Sequence, residues 1–234
     1  MIADVVHEVI GHGGTCLALG NKITLLGSVY FRSTPTSALT DAGGPLANLA
    51  AGLIVCGVMA LKCPRSPLAA LLMLSVAAYN LFWFCGTLVQ SGFSNEGDWI
   101  EPLRVLHLES LHESALLAFG ITFYLVSARL IAVRLLQVTR VLPEFPVREA
   151  CVIAFTGAAM AAVLAGLCYR PDRWQGAVQG GLEMVSSLPV LLIDGYTKTE
   201  RRYQVSRAFS ILALLAAMLL VVFCLTLGEG LATT

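Results

Sequence analysis

Near the start of the chain, in MIADVVHEVIGHGG, the stretch HEVIGH brings together His7, Glu8 and His12. Neutral imidazoles are zinc ligands, and a catalytic zinc site keeps one tetrahedral position for water. A carboxylate beside the first histidine is placed to take that water's proton as it attacks a carbonyl. The usual H-E-x-x-H signature puts its histidines one turn apart on one helix face. Here they stand five positions apart, and a regular helix would turn them roughly 140° away from each other. A π-bulge, with its i to i+5 hydrogen bond, absorbs one extra residue and restores the alignment. Gly11, Gly13 and Gly14 leave this backbone free to deform.

The elements that must position these groups are membrane elements. Of 234 residues, 57% are hydrophobic and 13% charged, with a mean hydropathy of +0.78; soluble domains carry about 25% charged residues. A span needs roughly 20 mainly apolar residues. Residues 42–62, 67–89, 114–133, 150–169 and 209–228 meet that requirement. Two weaker windows remain: 1–20, interrupted by Asp4, His7, Glu8 and His12, and 176–193, broken by glycines, Glu183 and Pro189. Polar groups within a span are expensive and usually face a cavity or a site. The expected fold class is an all-α polytopic membrane protein with about six to seven transmembrane helices, integral to the bilayer and multi-pass.

Neither a charged n-region nor a small-residue cleavage site marks the first window as a leader, so it is expected to stay. The seven cysteines are scattered without a C-x-x-C pair and read as small packing residues. Basic residues are thinly spread and form no stripe, which excludes a nucleic-acid surface. Lys62 and Arg65, then Arg134, Arg140 and Arg148, then Lys198, Arg201, Arg202 and Arg207 cluster at span ends on one side. That side is expected to be cytoplasmic, opposite Glu96, Asp98 and Glu101, although Arg170 and Arg173 fall with the acidic loop.

After the first helix, NKITLLGSVYFRS reads as a short β-hairpin, with Ile23 and Leu25 separated from Val29 and Phe31 by Gly27-Ser28. LTDAGGPLANL then opens a span. Gly43-Gly44-Pro45 reads as a backbone break that sets Pro45 in the first turn of the following helix. Asn48 is a neutral donor and acceptor of the kind that joins helices in a bilayer.

A His-Glu helix, a hairpin and then G-P-L-A-N at a span start resemble the intramembrane zinc metalloproteases of the site-two protease family. In that family one span carries H-E-x-x-H, a later one G-P-x-x-N, and a third an Asn followed by the Asp that completes the zinc site. The matching residues are His7, Glu8 and His12, then Gly44, Pro45 and Asn48, then Asn80 with a downstream aspartate. The resemblance covers residues 1–110 as a metalloprotease-like membrane core, with 111–234 adding transmembrane helices. It implies a Zn2+ cofactor on His7, His12 and Asp98, Glu8 as the catalytic base, and Asn48 and Asn80 holding an extended substrate. The reaction implied is hydrolysis of a peptide bond in a membrane-embedded substrate helix.

Two aspartates compete for the third ligand. Asp98 has the family's order and approximate spacing after Asn80, whereas Asp194-Gly195 in SLPVLLIDGY has the family's local phrase but comes late. Asp98 is favoured. It lies beyond an apparent span end, so the third span is expected to unwind or re-enter, which backbone at depth tolerates only when it lines a cavity. His107 and His112, beside Glu109 and Glu113, repeat the five-position spacing and read as an interfacial amphipathic helix. The rival classes are a metal-binding membrane protein without protease activity, and a small transporter with residues 176–193 as its discontinuous helix.

Overall fold

The computed structural model describes residues 1–108, 112–193 and 207–232. The chain begins as one continuous helical rod: α1 (Ile2–Asp4), the π-helix π1 (Val5–Gly13) and α2 (Gly14–Ala18). The strands β1 (Lys22–Leu26) and β2 (Phe31–Thr34) follow, then α3 (Ala38–Leu61) and α4 (Pro67–Ser94). The short α5 (Ile100–Val105) precedes α6 (His112–Val141) and α7 (Val147–Leu167). Next come α8 (Arg173–Val185), α9 (Pro189–Leu192), α10 (Arg207–Phe223), a second π-helix π2 (Cys224–Gly228) and β3 (Leu231–Ala232).

Among the described residues, four helices, α3, α4, α6 and α7, are long and apolar enough to cross a membrane. Residues 176–193 are broken as their composition predicts: α8 ends at Val185 and a new short helix starts at Pro189. The N-terminus of α8 is closed by Asp172, whose Oδ1 accepts from the backbone N–H groups of Trp174 at 3.1 Å and Gln175 at 2.9 Å.

The most buried of the four long helices is α4. Leu74, Ala77, Ala78, Leu81 and Phe82 of α4 meet Met59 of α3, Ile131, Leu135 and Val138 of α6, and Cys151 of α7 in the main apolar cluster.

Two local expectations are corrected. Pro45 does not sit in a first turn: α3 starts at Ala38, with Ser37 extended before it, and runs through the proline. The missing N–H leaves the Asp41 carbonyl without its usual helical donor, a cost tolerated because Gly43 and Gly44 are needed there for another purpose. A Cβ on Gly11 would stand 2.5 Å from the Gly44 Cα, and one on Gly43 would stand 2.5 Å from Thr15 Oγ1. The glycines let π1 cross α3 backbone to backbone; they do not break the helix.

The second correction concerns the approach to Asp98. The α4 helix stays regular from Pro67 to Ser94, and its 28 residues at 1.5 Å each reach about 42 Å, beyond the roughly 30 Å hydrocarbon core. The chain therefore leaves the helix and folds back. Asn95 closes α4 in the left-handed conformation (φ 57°), and Gly97 takes φ 106°, a conformation that glycine adopts without strain.

The expected hairpin forms with β1 antiparallel to β2, Lys22 opposite Thr34 and Leu26 opposite Phe31, with a bulge between Ile23 and Leu25. It is part of a three-stranded sheet of order β2-β1-β3, because Leu231 and Ala232 pair with Leu26 and Leu25. Residues from the second half of the chain thus complete an element begun in the first.

Candidate metal centre

The five-position spacing of His7 and His12 is resolved by π1, which contains both. Their rings stand edge to face with centroids 4.7 Å apart. Each ring is held flat against an aromatic neighbour: Trp83 of α4 stacks on His7 at 5.3 Å, and Phe31 of β2 stacks on His12 at 5.3 Å. Gly44 leaves room for the His12 ring, because a Cβ there would fall on the imidazole itself.

Hydrogen bonds determine which nitrogen of each ring faces the site. Asn80 Nδ2 donates to the Val76 carbonyl at 2.8 Å, so its Oδ1 is free to accept from Asn48 Nδ2 at 2.9 Å. Asn48 Nδ2 also donates to the Ala3 carbonyl at 3.1 Å. That orientation leaves Asn48 Oδ1 as the acceptor for His7 Nδ1–H at 2.6 Å. His12 Nδ1–H donates to the Thr40 carbonyl at 2.7 Å. Both neutral rings therefore present an unprotonated Nε2, the arrangement that outer-shell acceptors impose on metal-ligating histidines.

The two Nε2 atoms meet at 3.1 Å, although neither carries a proton to donate to the other. Asp98 Oδ2 lies 3.2 Å from His7 Nε2, and Asp98 Oδ1 lies 3.5 Å from His12 Nε2. In tetrahedral zinc coordination, bonds of about 2.0–2.1 Å give ligand-to-ligand edges of about 3.3–3.4 Å. The His7–His12 separation and the approach of Asp98 Oδ2 to His7 lie close to that edge, so the two nitrogens and one Asp98 oxygen fit zinc and would leave one coordination position over. His7, His12 and Asp98 are the metal-capable cluster found among the described residues.

Asp98 reaches the histidines because its loop is anchored on α4. Trp99 Nε1 donates to Thr87 Oγ1 at 3.0 Å, and the Trp99 ring packs edge-on against Phe84.

Glu8 is 5% exposed, and its Oε2 has no hydrogen-bond partner. It lines a cavity of about 350 Å³ together with His7, His12 and Asp98. Asn48 and Asn80, expected to hold substrate, are fully buried behind His7 with their amides engaged as described, and neither lines this cavity. Asp194 lies outside the described residues, as do Glu109 and the side chain of His112. His107 is exposed, with φ 55° in the turn after α5.

Several wall residues were not anticipated. Gln175, Gln179 and Glu183 of α8 line the same cavity, and Trp83 and Phe31 clamp the two histidine rings. The α8 trio did carry a signal, a polar stripe at i, i+4 and i+8 within an apolar segment, which places all three on one helix face. Comparison with protein-family models, curated proteins and solved structures found no match to this chain.

Proposed function

We propose that this chain is a zinc-dependent intramembrane endopeptidase, similar in its site to the site-two protease family. The observation that carries the reading is the convergence of His7 Nε2, His12 Nε2 and the Asp98 carboxylate, beside Glu8, whose Oε2 has no hydrogen-bond partner, in a polar cavity. His7, His12 and Asp98 hold the ion. A bound zinc supplies an acidified water and polarises a carbonyl.

Glu8 takes the proton released as water adds to the peptide carbonyl, and returns it to the departing amine. Asn48 and Asn80 are positioning residues that fix the His7 tautomer, and the Thr40 carbonyl does the same for His12. Tyr30 and Phe31 form part of the cavity wall. The β2 strand is terminal in its sheet, so an unwound stretch of a substrate helix adds to its open edge through main-chain hydrogen bonds. The helical rod of α1, π1 and α2 and the run of α10 with π2 cross the bilayer beside the four long helices, making six spans.

The test is zinc content and cleavage by full-length protein in nanodiscs, assayed on a library of single-span peptides. We expect about one zinc per chain, lost in His12→Ala and Asp98→Ala. Glu8→Gln keeps the metal while cleavage falls about 10²–10⁴-fold. Zinc without cleavage in the wild type favours the non-proteolytic metal-binding reading, and absence of zinc from protein prepared without chelators overturns both.

A further inference from the structure

A second cavity, of about 430 Å³, lies on the other side of Trp83 from the polar one, and the two share Trp83 and Glu183 as lining residues. Its walls are mainly apolar, with Ala161 of α7 and Leu220 and Phe223 of α10 among them. Two carboxylates interrupt that surface. Asp4, one helical turn before Glu8, is 7% exposed, lines the cavity and has an Oδ1 without a hydrogen-bond partner. Glu183 accepts a hydrogen bond from Gln179 and faces both cavities. Among the described residues no lysine, arginine or histidine lines this space, and the one basic group among its lining residues is the Met1 amine.

We infer that this cavity is a side-chain subsite of the proposed protease and that it takes a cationic residue, lysine or arginine, of the substrate. The inference rests on the protease reading above. A peptide whose carbonyl sits at His7, His12 and Asp98 has Trp83 as the near wall, since the indole is stacked on His7. The next side chain along the peptide passes that ring into the apolar space. Lysine and arginine join an aliphatic stem to a charged head, which matches apolar walls around Asp4 and Glu183. Carboxylates in low dielectric are costly to ionise without a counter-charge, so an arriving cation favours the ionised form of both, whereas an unbranched apolar side chain such as methionine offers them nothing. Basic residues concentrate at one end of natural spans, so such a subsite selects a bond near that end.

The probe pair is n-hexylamine and n-hexanol, equal in stem and different in charge, titrated into the full-length protein in nanodiscs. Trp83 fluorescence is the readout, with protein-free nanodiscs and Trp83→Phe subtracted. We expect saturable binding of the amine at least about tenfold tighter than the alcohol, with the preference falling to near unity in Asp4→Asn/Glu183→Gln. Equal affinity for the two probes, no saturable binding of either, or a preference that survives in the double variant overturns the inference. The wild-type comparison stands even where the variant fails to fold. The readout needs neither metal nor turnover, so amine preference in a chain that neither holds zinc nor cleaves peptide upholds the cationic site and overturns the protease reading alone.

Discussion

Deleting Ile10 is the sharpest perturbation of the proposed metal centre. It turns HEVIGH into a four-position spacing, and the residue removed is 60% exposed on the outer face of π1. In a regular α-helix, five residues set the histidines roughly 140° apart, so their ring nitrogens would stand on the order of 10 Å from each other on a helix of ordinary diameter. The π-helix closes that gap to 3.1 Å. Four residues of α-helix leave the two positions only about 40° apart and about 6 Å along the axis, which side-chain rotamers bridge. The deletion therefore exchanges π1 for α-helix while both flanks stay in register, because a π-bulge accommodates a single extra residue.

The expected result is a folded protein that keeps its zinc, with Kd within about tenfold of wild type, or about 1.4 kcal/mol. The assay is competition against a fluorescent zinc chelator, with thermal unfolding as the control for folding. Inserting alanine after Ile10 sets the histidines six apart, more than one bulge absorbs, and zinc should be lost. A deletion protein that folds as well as wild type yet loses zinc affinity by more than about a hundredfold would refute the claim that π1 serves to align the ligands.

Two further substitutions read the supporting structure. Asn48→Leu removes the acceptor of His7 Nδ1 and strands Asn80; loss of such an outer-shell partner lowers metal affinity about 10–100-fold, measured by the same chelator competition, and unchanged affinity would remove Asn48 from the site. Gly44→Ala drives a methyl group into the His12 ring; we expect zinc loss together with a lower unfolding temperature, whereas Gly57→Ala, with open space around its Cα, should leave both unchanged.

The chemistry-bearing residues of the first helix were legible in the sequence because their types are rare in apolar surroundings. His7, Glu8 and His12 stand out in a window that lipid would otherwise fill, and the five-position spacing permits a single backbone solution that aligns them. The hairpin and the four long helices follow from alternation and from apolar length, both local properties. The role of Asn48 and Asn80 was not legible, since an amide in a span offers the same donor and acceptor to a substrate as to a neighbouring ring. Only packing decided that they face His7 and each other. The GGP stretch is similar: composition allows a break or a close crossing, and the position of π1 against α3 makes it a crossing.

Asp98 could be ranked ahead of Asp194 from its order along the chain, but what brings it to the histidines is a loop reversal held by Trp99 on Thr87 and Phe84, contacts between elements that no spacing rule connects. The same holds for Glu183, which reaches the cavity from far along the chain. By itself the sequence determined which groups are able to bind a metal and that helices apolar enough to cross a membrane accompany them, because residue type and hydropathy are carried position by position. Tertiary structure alone decided which of those groups meet, because convergence depends on helix crossings and loop closures summed over the whole fold.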